Sequence, residues 1–219
     1  MIKKLLLIAL MCCSTFAFAQ KDGDAKISLG VRGYNYIELP QLFNQAKDHQ
    51  FINTKFNSYI IKFNDGLFSY RLNGNYINKS LQFDNNCTGC DLTSGKVKDY
   101  AFKAGFEKNF SYTGIQPYFA FDLGYRSTEF NGRGFQAERV PSAVDFRKRG
   151  ITVTPVLGIK ISPIKELSIF AESNMEFFYA FGKERSTADG ADQPTNSHKF
   201  KKGEFLLNPV AVGVQFHFR

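Results

Sequence analysis

An alternation of apolar and polar residues with a period of two recurs in eight segments of the chain, and it restricts the possible folds more than any other feature. In the third segment, Phe68, Tyr70 and Leu72 alternate with Ser69 and Arg71. Such alternation puts one set of side chains on each face of a β-strand. The segments are 25–36, 55–63, 67–77, 98–108, 115–127, 150–161, 167–180 and 205–218. The sequence therefore predicts an all-β protein in which each strand has an apolar and a polar face.

The connections between these segments alternate between short and long. Residues 64–66 (Asn-Asp-Gly) are a strong signal for a tight turn, and 109–114 and 162–166 are also short. The long connections are 37–54, 78–97, 128–149 and 181–204. This pattern is typical of an eight-stranded antiparallel up-and-down transmembrane β-barrel, in which short turns lie on one side of the membrane and long loops on the other. A secreted β-sandwich is the alternative, but it has no reason to alternate its loops so regularly.

Two prolines lie inside the predicted strands. Pro155 falls in the sixth segment and Pro209 in the eighth. Proline removes a hydrogen bond from the ladder and is confined mainly to edges, strand starts and bulges. Because a closed barrel has no edge, we predict a β-bulge at each of these positions.

The first residues have the pattern of an export signal. Lys3 and Lys4 precede a short apolar run, which is followed by Ala17-Phe18-Ala19, an A-x-A cleavage site. The run is too short to cross a bilayer as a helix, which takes about 20 residues. We expect residues 1–19 to be a cleaved signal peptide and residues 20–219 to form one barrel domain.

The composition fits export to a membrane better than binding to nucleic acid. The chain has 24 Phe and 10 Tyr but no Trp, and no segment after the signal is apolar enough for a transmembrane helix. Its net charge is +8. No basic helix or basic–aromatic recognition motif accompanies that charge, so we expect no nucleic-acid partner. An anionic lipopolysaccharide surface is a more suitable neighbour, and scattered solvated lysines are the simpler alternative.

If the apolar face meets lipid, eleven charged side chains point into the barrel. They are Arg32, Lys62, Arg71, Asp99, Lys103, Glu107, Asp122, Arg126, Lys160, Glu172 and Glu176. Six are positive and five are negative, so the interior is nearly balanced. An eight-stranded barrel is only wide enough for side chains to fill it, and buried charges need partners. We predict a filled lumen held by a salt-bridge network, with a narrow polar pathway as the alternative.

The four cysteines form two pairs. Cys12 and Cys13 lie in the export signal, where acylation as in a lipoprotein is an alternative to simple cleavage. Cys87 and Cys90 lie in the second long connection, and in an oxidising compartment we predict a local disulfide between them. A redox-active dithiol and a zinc site are alternatives, but no thioredoxin-like context surrounds this pair and zinc would need two more ligands.

Sequence motifs of enzymes and cofactor sites are absent. The chain has no P-loop, HExxH, EF-hand, dinucleotide fingerprint or G-x-S-x-G elbow. Glu172 and Glu176 would lie about 13 Å apart on a strand, too far for a glycosidase pair. We expect no catalytic residue, metal or cofactor. Residues 147–149 (Arg-Lys-Arg) make the third long connection basic, as a solvated loop or as a contact for lipopolysaccharide, and we expect the fourth, polar connection to be mobile.

The last strand carries a further signature. Residues 210–218 alternate apolar residues and end in an aromatic one residue before Arg219. With the signal and the eight segments, this tail resembles the small outer-membrane β-barrel proteins, the porin-like superfamily of the OmpA, OmpX and OmpW barrels. The resemblance covers essentially the whole mature chain. It implies a place in the cell outer membrane and recognition of Val214, Phe216 and Phe218 by the barrel assembly machinery.

Functions within this superfamily are diverse, so the resemblance does not fix a task. From the filled lumen and the absence of catalytic motifs we expect a monomeric, non-enzymatic barrel with a structural or interaction role at the envelope. The alternative is a narrow, porin-like pore for small solutes.

Overall fold

The chain folds into a closed antiparallel barrel. The computed structural model describes residues 26–42, 51–65, 68–84, 92–111, 114–135, 142–188 and 195–218. The strands are β1 (Ile27–Glu38), β2 (Phe51–Asp65), β3 (Phe68–Asp84), β4 (Leu92–Asn109), β5 (Ile115–Phe135), β6 (Ser142–Ile164), β7 (Leu167–Ala188) and β8 (Thr195–Phe218). Each pairs with its chain neighbour, and β8 pairs with β1. The predicted eight-stranded up-and-down barrel is therefore confirmed.

An apolar belt surrounds the barrel. Outward-facing side chains such as Phe102 and Leu157 are 58% and 63% exposed, as expected for a surface that meets lipid. Exposed tyrosines border the belt on the side away from the described chain ends: Tyr34, Tyr59, Tyr76, Tyr100, Tyr125 and Tyr179. Tyrosine rings favour the membrane–water interface. We call these residues the tyrosine girdle, and it marks the outer limit of the membrane-spanning part.

In the described part of the chain, no helix has the length and apolar character needed to cross a membrane.

Several strands extend well beyond the girdle. β5 to β8 continue through most of the predicted connections 128–149 and 181–204, and the ladder between β5 and β6 reaches Gly134↔Ser142. The prediction of long loops there was wrong over the residues that are strand, and the mobility predicted for 182–203 stays a prediction. The alternation fades in these extensions because their outer face meets water instead of lipid. Hydrogen bonding between strands does not require that alternation.

The two interior prolines behave differently. The β7–β8 register shifts between Glu172 and Asn174, opposite Pro209, so the bulge predicted there is confirmed. At Pro155 the prediction was wrong, because the β6–β7 register is the same on both sides of it. The missing proline N–H interrupts that ladder locally, while the pair Phe121↔Pro155 is retained on the β5 side.

The outer end of the β1–β2 hairpin separates from its neighbours. The β1 register shifts between Arg32 and Tyr34 in both of its ladders, and β2 pairs with β3 only as far as Ser58↔Asn75. Beyond Glu38 the chain turns inward, where Leu39 and Leu42 are almost completely buried. This departure from the barrel wall brings apolar side chains into the outer part of the lumen.

Candidate functional site

The lumen contains all eleven of the charged residues predicted to face inward. Ten are buried and Lys103 is partly buried. Ten take part in ion pairs, which form two clusters at different depths along the barrel. Lys160 adjoins the deeper cluster, where its charge acts on Glu107. Strands β1 to β7 each contribute at least one of these charges, because the period of two sends alternate residues of every strand inward.

The deeper cluster is organised around Arg71, whose side chain is fully buried. The Arg71 guanidinium lies 3.1 Å from Glu107, 3.1 Å from Asp122 and 3.0 Å from Glu172. Three separate strands supply these carboxylates. A single cation thus links β3 to β4, β5 and β7 across the interior.

Two further cations complete the deeper cluster. Lys62 lies 2.6 Å from Glu107, and Arg32 lies 2.6 Å from Glu172. Together with Arg71, three cations form ion pairs with three carboxylates, and Lys160 adds a fourth cation beside them. Since buried charges are tolerated only when they are paired and hydrogen-bonded, these ion pairs allow the cluster to exist away from water.

The second cluster lies closer to the tyrosine girdle. Arg126 lies 2.9 Å from both Asp99 and Glu176, and Lys103 forms a further ion pair with Glu176. The hydroxyl of Thr128 donates to Asp99 at 2.6 Å. Two cations and two carboxylates are therefore matched at this level as well.

Tyr118 was missed in the sequence analysis. Its ring is buried in the lumen, its hydroxyl donates to Glu172 at 2.9 Å, and the Lys62 ammonium lies 5.3 Å from the ring centroid. The signal was available, because Tyr118 has the same parity on β5 as Gln116 and Asp122. Tyr118 was overlooked because aromatic residues had been assigned to the lipid-facing side of the strands.

Gly158 makes room for Tyr118. A Cβ atom at this position would come within 2.2 Å of the Tyr118 ring. We expect Gly158→Ala to destabilise the barrel by about 1–3 kcal/mol, because the ring must move away from Glu172. Urea-dependent unfolding in detergent micelles would measure this loss. The control is Gly74→Ala, since nothing lies within 4 Å of a Cβ there. Equal stability of the two variants would contradict the prediction.

An apolar plug closes the lumen beyond the second cluster. Its members are Ile37, Leu39, Leu42, Ile77, Val97, Phe130 and Phe146, all 5% exposed or less. The plug was not predicted from the sequence, because its residues lie in or beside segments that were interpreted as long connections. Between the plug and the second cluster, level with Thr128, Lys148 lies 2.5 Å from Glu204. Burial lowers the pKa of Lys148, and the Glu204 carboxylate opposes that shift.

A small polar cavity lies between the plug and the deeper cluster. Its lining includes the amide side chains of Asn35, Asn73, Asn174 and Asn208. The Asn73 amide donates to Asp122 at 2.9 Å. The cavity is bounded by ion pairs on one side and by apolar side chains on the other.

A hydrogen-bonded group closes the lumen at the end of the barrel that carries the short turns. The start of β1 and the end of β8 lie at this end. His217 Nε2 lies 2.5 Å from the Ser168 hydroxyl, and His217 Nδ1 lies 2.9 Å from the Ser28 hydroxyl. Ser162 contacts Ser168 at 2.7 Å. All of these hydroxyls except that of Ser162 belong to fully buried residues, so the Ser168 oxygen is shielded from a substrate in solution.

The predicted assembly signal lies at the seam of the barrel. Val214, Phe216 and Phe218 pair with Val31, Leu29 and Ile27 of β1, and both phenylalanines are about half exposed on the belt. Their recognition by the assembly machinery stays a prediction. The predicted signal peptide, residues 1–19, and the predicted disulfide, Cys87–Cys90, lie outside the described residues. No group of three or more metal-ligating side chains occurs in the part of the chain that is described.

Comparisons with known proteins support the fold. No protein-family model and no curated protein matches the chain. A major outer membrane protein from Thermus thermophilus is similar in structure with a TM-score of 0.53 and 11% identity, over 88% of this chain and 99% of that one. Ail, the attachment invasion locus protein of Yersinia pestis, gives a TM-score of 0.46 and 10% identity, over 89% and 99% of the two chains.

At 11% identity, the likeness to the Thermus protein shows a shared fold. The chain therefore has the fold of a small outer-membrane β-barrel protein. The lipid-facing belt, the tyrosine girdle and the closed ring of strands are the features with which such a barrel spans a membrane. The predicted location in the cell outer membrane agrees with this fold and with these features.

Proposed function

We propose that this chain is a non-enzymatic outer-membrane barrel with a closed lumen and a structural or interaction role at the cell envelope. The observation that carries the proposal is the position of Arg71 between three carboxylates from three strands. A solute passing through the barrel would have to displace this side chain. Breaking a buried, hydrogen-bonded ion pair is unfavourable by about 3–5 kcal/mol, so the cluster acts as a barrier as well as a brace.

The barrier is repeated along the lumen. The His217 group, the two charge clusters and the apolar plug follow one another from the turn side to the outer side. A permeation pathway would need more than one of these levels to open. This redundancy favours a closed barrel.

The strand extensions support an interaction role. β8 has 24 residues, whereas about 9–11 residues suffice to span a membrane. The excess of β5 to β8 forms a hydrogen-bonded sheet that stands outside the girdle. A hydrogen-bonded sheet of this kind is not needed to anchor the chain in the membrane, but it can present a surface to other molecules.

A narrow pore is the second candidate, and the polar cavity is the observation that favours it. Its lining includes the charged residues Arg32 and Glu176 as well as amides. If the plug opened, this cavity would form part of a hydrated path. Such a path would be sensitive to the sign of the charges that line it.

Single-channel recording in a planar lipid bilayer tests both candidates. We expect the folded mature protein to give no reproducible conductance steps, because successive levels of the lumen are filled. Steps whose ion selectivity changes in Arg71→Gln and Glu172→Gln would establish a pore and contradict the closed barrel. The matched control is the exposed pair Arg149 and Glu129, 3.1 Å apart, whose replacement by glutamine leaves the lumen unchanged.

A further inference from the structure

Three cations lie side by side on the outer wall of the barrel. Arg147 of β6 is directly opposite Lys183 of β7, which is directly opposite Lys199 of β8. We call these residues the cationic row. Their side chains face outward, since Phe146, Lys148 and Gly182 in the alternating positions are buried. The row therefore lies on the continuation of the lipid-facing surface.

This arrangement is unfavourable in the protein alone. Like charges directly opposite one another on neighbouring strands destabilise a sheet. Arg147 lies 3.8 Å from Glu129 and 3.9 Å from Asp145, and Glu129 is shared with Arg149. Within the described ranges, neither Lys183 nor Lys199 forms an ion pair with a carboxylate. A row of this kind is stabilised when an external anion binds across it.

More outward-facing cations flank the row. Phe181 lies two residues closer to the membrane than Lys183 and pairs with Arg149 of β6 and Lys201 of β8. Arg185 lies two residues farther from the membrane than Lys183. The Lys201 ammonium lies 5.5 Å from the Phe181 ring. The patch thus combines positive charge with an aromatic ring that is 51% exposed.

The height of the row fits the lipid headgroups. Lys183 follows Tyr179 of the girdle by four residues, which is about 14 Å along the strand and about 10 Å along the membrane normal for a tilted strand. The polar headgroup region adds roughly 5–8 Å on each side of the hydrocarbon core. A long lysine or arginine side chain covers the remaining distance to a phosphate in that layer.

We propose that the cationic row binds the phosphate groups of a phosphorylated glycolipid in the outer leaflet. The Arg147 guanidinium supplies a planar pair of donors that suits a phosphate, and the two ammonium groups supply further charge. A membrane lipid is the favoured source because the row lies on an open wall directly above the apolar belt, not in a pocket. The cationic row lies on the outer wall, so lipid binding there does not depend on whether the lumen is closed.

Lipid titration of the folded protein tests the proposal. The variant carries Arg147→Gln, Lys183→Gln and Lys199→Gln. Native mass spectrometry of the detergent-solubilised protein would count bound molecules of lipid A with both phosphates, of dephosphorylated lipid A and of inorganic phosphate. We expect the variant to bind phosphorylated lipid A on the order of 100-fold more weakly than the unaltered protein, since each charge near an anionic surface contributes several-fold.

A matched control removes three charges from the opposite end of the barrel. Lys26, Lys108 and Lys165 are exposed near the short turns, and their replacement by glutamine should leave lipid A binding within about twofold. Heat-modifiable migration on gels verifies that each variant is folded. If the triple variant fails to fold, Lys199→Gln alone should weaken binding about fivefold.

Three outcomes would overturn the proposal. The first is equal binding of phosphorylated lipid A by the variant and the unaltered protein. The second is an equal loss in the control variant, which would show that net charge alone attracts the lipid. The third is binding of inorganic phosphate or of dephosphorylated lipid A as tight as that of phosphorylated lipid A. Tight binding of inorganic phosphate would show that the row binds soluble anions, and tight binding of dephosphorylated lipid A would show that the acyl chains are responsible.

Discussion

Replacing Arg71 by methionine is expected to lower the free energy of unfolding by about 3–5 kcal/mol. Methionine fills a similar length of the lumen but carries no charge, so Glu107, Asp122 and Glu172 lose their shared partner. Lys62 and Arg32 still neutralise two of these carboxylates, whereas Asp122 is left with the neutral amide of Asn73, which donates to it at 2.9 Å. Urea titration of the protein in detergent micelles or thin bilayers would measure the loss.

The matched control is Arg149→Met. Arg149 is half exposed and lies 3.1 Å from Glu129, so removal of this surface pair should change stability by no more than about 1 kcal/mol. A second replacement sharpens the test. If charge imbalance is the cause, Asp122→Asn added to Arg71→Met should restore part of the lost stability. Equal effects of Arg71→Met and Arg149→Met would show that the buried cluster does not brace the barrel.

The charge network could be predicted because position along a strand decides which face a residue occupies. Asp99 and Lys103 are four positions apart on β4, and so are Glu172 and Glu176 on β7. Even spacing puts both members of each pair on the same face. The sequence alone could not say which cation would meet which carboxylate, because that depends on the stagger of strands around the ring.

The plug could not be predicted from periodicity. Leu39 and Leu42 follow the end of β1, and Phe130 and Phe146 lie on strand extensions whose outer face is wet. Alternation of apolar and polar residues reports a two-sided environment with lipid outside and polar groups inside. In the strand extensions the outer face meets water and the inner face packs apolar side chains. The sequence of these extensions therefore lacks the pattern of a membrane-spanning strand.

The prolines show a similar limit. Both lie in strand interiors, yet only Pro209 accompanies a register shift. A missing N–H can be accommodated either by an extra residue in the strand or by one lost bond in an otherwise regular ladder, as at Pro155. Composition does not distinguish these solutions, because neighbouring strands decide how much irregularity the ring can take up.

Truncating Phe146 to alanine is expected to destabilise the protein by about 3–5 kcal/mol. The side chain is 1% exposed, packs in the plug and has its ring centroid 5.7 Å from that of Phe200, so its removal leaves a cavity. Urea-dependent unfolding measures this loss. The control is Phe102→Ala on the belt, which should lose less, because detergent or lipid fills the space that it vacates.

The same variant separates two of the barriers in the lumen, the plug and the Arg71 cluster. Phe146→Ala weakens the plug and leaves the Arg71 cluster in place, so we expect a planar bilayer containing it to stay without conductance steps. Arg71→Met combined with Phe146→Ala weakens both levels, and steps should appear only there if the protein still folds. Conductance from Phe146→Ala alone would mean that the plug, and not the charge cluster, closes the barrel. A stability loss no larger than that of Phe102→Ala would mean that the plug is too loosely packed to close anything, and closure would then rest on the ion pairs around Arg71.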